Sequence, residues 1–309
     1  MPVAPPSRGV AGRSLPIALL VSLRPEQWTK NVVVFAGLGF GKQLFDPAAF
    51  VRAVVAFLVF CGLSGVVYLV NDVTDREADR RHPLKALRPI ACGDLSPRVA
   101  LTAAVVLTAA GLGVALWLSV PFGIVAAVYV ALLTAYSKWL KHVVILDVMT
   151  LAVGFVLRAV AGAVVINVEI GHWLLVCTIL LALFLALSKR RHELVLLSDG
   201  AANHRRILAE YSPYLLDQMI GVVTASTLIS YIFSTISPET VQKYHTEWLG
   251  LTIPFPLYGI FRYLYLVHRK EGGGSPTAML MNDRPLLVCV ALWAAAVVVI
   301  IYRPFVFGF

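Results

Sequence analysis

Charge is what this 309-residue sequence has least of: Asp, Glu, Lys and Arg make up 14% of it, against 59% hydrophobic residues. Its apolar runs reach membrane length, which excludes the two soluble domains that the chain length would ordinarily suggest. Cysteine is scarce too. Cys61, Cys92, Cys177 and Cys289 are scattered, three of them inside apolar runs and none in a CxxC, so neither a disulfide framework nor a zinc site is supported. His82, His142 and His192 lie in different segments and lack metal-ligand spacing. Leu15 to Leu23 is apolar but too short to span, and no small-residue cleavage site follows it, so it reads as an interfacial helix rather than a signal peptide. Polar groups are also missing from mid-span positions, Arg158 excepted, which argues against a transporter or channel.

What is present is a succession of apolar stretches. The first runs from Pro25 to about Gly41, and others follow at about 48–70, 97–118, 121–138, 143–166, 173–190, 214–236, 249–268 and 285–303. Pro47, Pro97, Pro121, Pro213 and Pro285 stand at or near span starts, where a helix tolerates proline, and Pro254 and Pro256 mark the eighth span as irregular. The expected architecture is an all-α, polytopic membrane protein of nine transmembrane helices. Residues 1–14 form a disordered cytoplasmic lead and 15–309 a single transmembrane domain.

The net charge of +9 does not imply nucleic acid, because the basic residues cluster in loops. Of the 26 Lys and Arg, all but Lys42, Arg52, Arg158, Lys243 and Arg303 fall in the N-terminus or after spans two, four, six and eight. That bias expects a cytoplasmic N-terminus, an extracytoplasmic C-terminus and every reactive segment on the cytoplasmic face of a bacterial-type inner membrane. Polar segments after alternate spans suggest two related four-span halves plus a ninth helix.

The densest charge cluster is NDVTDREADRRHPLKALRPIACGD, Asn71 to Asp94. If the second span continues as a helix, Asp72, Asp75 and Asp79 share one face within about 80°. Three such carboxylates repel unless a cation lies between them. Mg²⁺ suits them, since it takes one or two carboxylates and completes its shell with water and substrate phosphate. Arg76, Lys85 and Arg88 then stand ready for the anionic remainder of a substrate. A solvated loop that only sets topology is the plainer alternative. Lys30 and Asn31 lie just inside the first span, Tyr136 and Lys141 end the fourth, and Lys189, Arg190, Arg191 and Glu193 end the sixth. Arg158 is either paired with a buried acceptor such as Asp147 or in contact with a substrate phosphate.

RPEQWTKN, YLVNDVTDREADRRHPLKALRPIACG, YSKWLKH, LRAVAGAVV, SKRRHEL and NDRPLL, in this order over about residues 17–303, resemble the UbiA superfamily of intramembrane prenyltransferases. The resemblance implies a UbiA-like bundle with a polar cavity on the cytoplasmic side. The finer pattern is similar to the branch that moves 5-phosphoribose from PRPP to a polyprenyl (decaprenyl) phosphate, releasing pyrophosphate and feeding cell-wall arabinan. Aromatic prenyltransferases of the superfamily carry a second Asp motif after span six. Here Lys189, Arg190, Arg191, His192 and Glu193 occupy that place, with Asp199 further on. A basic cluster suits a second anion held without metal. On this reading Asp72, Asp75 and Asp79 hold Mg²⁺ and Asn71 bonds the diphosphate or ribose. Lys30, Asn31, Arg76, Lys85, Arg88, Tyr136, Lys141, Arg158, Lys189, Arg190 and Glu193 contact substrate. The partners are PRPP, polyprenyl phosphate and membrane lipid, with a homo-oligomer left open. Prenyl transfer to an aromatic or other lipophilic acceptor is the alternative within the same fold.

Overall fold

A computed structural model describes residues 12–82, 85–196, 206–269 and 276–307. Most of the expected lead, residues 1–11, and Asp199 lie outside them. Among the described residues every regular element is helical. Seven helices are long and apolar enough to cross a membrane by length and composition. In chain order the α-helices are α1 (Leu15–Ser22), α2 (Ala36–Phe40), α3 (Pro47–Thr74), α4 (Arg76–Arg81), α5 (Pro89–Cys92), α6 (Pro97–Leu118) and α7 (Val120–Lys138). Then come α8 (Leu146–Val165), α9 (His172–Leu196), α10 (Pro213–Ile236), α11 (Pro238–Tyr244), α12 (Pro254–Arg269), α13 (Pro276–Asn282) and α14 (Arg284–Phe307). The seven long apolar ones are α3, α6, α7, α8, α9, α10 and α14.

The starts of these helices follow from local chemistry. Asp46, Ser96, Ser119 and Ser212 each accept a bond from a first-turn amide, and a proline in that first turn needs no amide partner. The other two expected spans are composite. Pro25–Phe35 is a 3₁₀ helix leading into the five residues of α2, and Trp248–Thr252 is a 3₁₀ turn before the 16-residue α12. Neither contains an uninterrupted helix of spanning length.

α3 and α8 are the central pair, each with 56% of its most apolar stretch buried, against 17–33% for the other five long helices. One apolar cluster, built on Phe60, Phe122, Tyr129, Val34 and Val165, fills the first half of the chain. A second, around Phe184, Leu187, Leu216 and Tyr263, fills the other half. The 3₁₀ segment reaches the middle of the bundle because Gly162 lets it in. A Cβ at Gly162 would stand 1.9 Å from the Val34 carbonyl oxygen, and one at Gly37 3.0 Å from the Ala163 backbone. Small residues permit this kind of crossing inside membranes. Because backbone rather than a flexible side chain opposes the added methyl, Gly162→Ala is expected to cost ~1–3 kcal/mol or more. A thermal midpoint in detergent that falls by several degrees would show it.

Candidate active site

α3 does not continue through the acid cluster. It stops at Thr74, Asp75 takes φ −92° and ψ 8°, and α4 begins at Arg76. Backbone bonds still bridge the bend, Asp75 N–H to Asn71 O and Asp79 N–H to Asp75 O, both 2.8 Å. The three carboxylates therefore diverge in environment rather than forming one equivalent face. Asp72, 3% exposed, accepts from Arg24 Nη2 at 2.6 Å and Arg88 Nη1 at 3.1 Å. The same Arg88 nitrogen reaches Asp79 Oδ2 at 2.6 Å. Asp75 is the open one, 32% exposed, with both oxygens 3.1 Å from Lys141 Nζ.

The three members of the expected metal set thus differ in surroundings. Asp72 is committed to two guanidiniums, which compensate its burial, and that leaves little of it for an ion. Asp75 and Asp79 are one helical turn apart on α4 and its junction, each facing a single cationic nitrogen, with half-buried Asn71 a turn earlier. Among the described residues no three His, Cys, Asp or Glu converge well enough to hold an ion by themselves. Two carboxylates suit a cation that keeps water and substrate phosphate in its shell, as Mg²⁺ does.

Deeper in the bundle the 3₁₀ segment meets α8. Arg158 is 6% exposed. It donates from Nε to Asn31 Oδ1 at 2.7 Å and from Nη2 to the Tyr129 hydroxyl at 2.6 Å, and it lies over the Tyr129 and Phe155 rings at 4.9 and 5.0 Å. Asn31, itself buried, donates to Ser64 Oγ at 3.3 Å and Cys61 Sγ at 3.4 Å. The hydrogen-bond partners of this buried cation are thus neutral groups. Half-buried Lys30 feels the charges of Lys189, Arg158 and Arg24, with Glu26 as the acid nearby. Residues from the first and fifth expected spans therefore meet at Arg158.

Asp147, one of the acceptors open to Arg158 in the sequence, is engaged elsewhere. It accepts from Arg190 Nε at 3.0 Å and from the Tyr211 hydroxyl at 2.8 Å. Arg190 is 2% exposed and also pairs with Glu193, and half-buried Tyr136 stands near the end of α7. Arg191 pairs with Asp217. Arg190 and Glu193, both expected to contact substrate, are paired here with each other, and Arg190 also with Asp147. Lys189 is the more exposed member, 41%, with Glu193 Oε1 3.9 Å away. Arg190→Ala would leave Asp147, which is fully buried, without its cation. Breaking such a pair typically costs ~3–5 kcal/mol, so this variant is expected to unfold markedly earlier in a detergent melt rather than simply to bind substrate less well. Arg76 is half-buried with its Nε enclosed and unpartnered, and Lys85 lies half-buried in the turn Lys85–Leu87.

Arg24, Tyr129 and Tyr211 escaped the sequence reading. Arg24 heads the quoted RPEQWTKN, and its position directly after the apolar Leu15–Leu23 run is the signal that could have found it. Nothing local marks the two tyrosines.

Fold and site together define a helical membrane transferase with an acidic face beside buried cations. Residues 31–282 match the UbiA prenyltransferase family, and the chain belongs to it. It is 34% identical to a decaprenyl-phosphate phosphoribosyltransferase of Mycolicibacterium smegmatis, over 96% of this chain and 95% of that one. It is 32% identical to the protein of that name from Corynebacterium glutamicum, over 94% and 88%. In fold it is similar to a UbiA homologue from Archaeoglobus fulgidus bound to GPP and Mg²⁺, with a TM-score of 0.71 at 20% identity, over 92% of this chain and 99% of that one. The same homologue has also been solved with Cd²⁺.

Proposed function

We propose that this enzyme transfers 5-phosphoribose from PRPP to a polyprenyl phosphate, decaprenyl phosphate by its likeness to the mycobacterial and corynebacterial relatives, and so feeds cell-wall arabinan synthesis. An ionised oxygen of the lipid phosphate attacks the anomeric carbon, the bond from that carbon to the diphosphate breaks, and pyrophosphate leaves. No strong base is needed, because the attacking oxygen is already charged. Mg²⁺ on Asp75 and Asp79, when bound, would supply charge neutralisation for the departing diphosphate. Asn71 is placed to bond the diphosphate or ribose, and Lys141 and Arg88, the present partners of these carboxylates, lie close enough to steady its oxygens. Asp72, clamped by Arg24 and Arg88, orders the acidic face.

The observation that carries this reading is Arg158, a buried guanidinium satisfied by neutral groups, whose charge half-buried Lys30 also feels. PRPP and a lipid phosphate together bring the leaving diphosphate, the ribose 5-phosphate and the lipid phosphate. The acidic face serves the first, and this cationic locus suits one of the others. Prenyl transfer to a neutral ring would give it no second anion. We further place the composite Pro25–Phe40 and Trp248–Arg269 segments across the membrane, making nine crossings with the N-terminus and a polar cavity on the cytoplasmic side, in keeping with the lysine and arginine bias. Thin-layer analysis of purified protein with radiolabelled PRPP, Mg²⁺ and polyprenyl phosphate is expected to show labelled lipid. Prenylation of an aromatic acid with no use of PRPP would overturn the assignment.

A further inference from the structure

Ile145 stands in a conformation that its side chain opposes. Its φ of 70° and ψ of −45° fall in a γ-turn region that is rare outside glycine, and a β-branched residue is among the least suited to it. Packing of its own side chain does not compensate, since that side chain is 46% exposed. The Asp147 N–H closes the turn on the Val143 carbonyl at 3.1 Å, and Tyr211, at the end of the α9–α10 connection, holds it from outside. The Ile145 N–H donates to the Tyr211 hydroxyl at 2.8 Å, and that hydroxyl donates to Asp147 Oδ1 at 2.8 Å. Asp147 Oδ2 is in turn held by Arg190 Nε at 3.0 Å. The ring is 5% exposed and packs in the second apolar cluster, so the hydroxyl is delivered from a fixed base.

Four residues before the strained turn, on the same connection between α7 and α8, is Lys141 with its two 3.1 Å contacts to Asp75. The connection is therefore pinned twice, once on the acidic face and once on Tyr211. We infer that Tyr211 is a positioning residue: its hydroxyl holds the strained turn at Ile145, and through it sets Lys141 against Asp75. The inference rests on the reading of Asp75 as part of the reacting site. It also links the acidic face to the Arg190–Asp147 network. Tyr211 does not act on substrate. Its effect passes through the backbone of residues 141–145.

The test uses the full chain in detergent or nanodiscs, with Tyr211→Phe, Ile145→Gly and the double variant. Tyr211→Phe keeps the packed ring and deletes only the hydroxyl. It is expected to lower kcat for phosphoribosyl transfer about tenfold, the scale of one hydrogen bond to a charged group, with KM for PRPP changed less than about twofold. It should also speed amide exchange in peptides covering residues 139–146. Glycine accepts φ 70° without strain, so Ile145→Gly in the Tyr211→Phe background is expected to recover most of the lost kcat and to slow that exchange again. A Tyr211→Phe enzyme with wild-type kcat, or a double variant no better than the single one, would overturn the proposal. Should the wild-type chain transfer no phosphoribose, the functional reading fails separately and the exchange data still decide this one. Unchanged exchange in Tyr211→Phe overturns it, and faster exchange reversed by Ile145→Gly upholds it.

Discussion

Asp75→Asn is expected to reduce turnover by about 10²–10³-fold, the scale seen when one preorganised group that stabilises transition-state charge is removed. The fold should survive the change. Asp75 is 32% exposed and its contact is with Lys141, and partly exposed ion pairs of this kind contribute ~0–1 kcal/mol. Asp72→Asn should behave differently. Its carboxylate is 3% exposed and compensates both Arg24 and Arg88, so the substitution takes the paired acid from half-buried Arg24, leaves Arg88 to Asp79, and lowers the thermal midpoint as well as activity. The two variants thus separate a group that meets the metal and diphosphate from one that builds the face. Measured side by side, kcat, Mg²⁺ dependence and detergent melting distinguish them. Wild-type turnover in Asp75→Asn, or full activity in EDTA, would remove the metal from this carboxylate.

Arg158→Met carries the second large effect. The guanidinium donates to Asn31 and Tyr129, neither charged, so its removal strands no carboxylate among these partners. Replacing a buried cation by an apolar side chain of similar length relieves its desolvation and offsets the loss of the Asn31 and Tyr129 hydrogen bonds, so the thermal midpoint should change little. Substrate binding should suffer instead. Loss of a charge-assisted contact costs ~1.5–3 kcal/mol, so KM for PRPP or for the lipid phosphate is expected to rise about ten- to a hundredfold, with kcat changing less. Whichever KM moves names the phosphate held there. A variant that melts early while both KM values stay put would make Arg158 a structural residue and would take away the main bottom-up support for phosphoribosyl rather than prenyl transfer.

The long spans were legible because a membrane imposes local rules. Every backbone amide must be satisfied within its own helix, so an apolar run of sufficient length can only be a helix, and Ser-Pro or Asp-Pro at its head announces where it begins. On that ground the sequence alone determined α3, α6, α7, α8, α9, α10 and α14, the acid cluster at the end of α3 and the cations that accompany it. Hydropathy could not show that Pro25–Phe35 winds as a 3₁₀ helix, because apolar content is the same whichever carbonyl an amide selects. Only the close approach of Val34 to Gly162 in the folded bundle brings out that segment's role. The differing surroundings of Asp72, Asp75 and Asp79 were hidden for a related reason. Their spacing was right, but which of them is buried depends on Arg24 and Arg88 arriving from elsewhere in the chain. The same holds for Asp147, which pairs with Arg190 and Tyr211 rather than with Arg158, eleven positions along its own helix. Which opposite charges meet is set by how helices cross, and residues 24 and 72, 31 and 158, or 147 and 211 become neighbours only through tertiary packing. A sequence states which charges are present and at what helical depth, while partners are chosen by distances that fall off within a few ångströms and that no local pattern encodes.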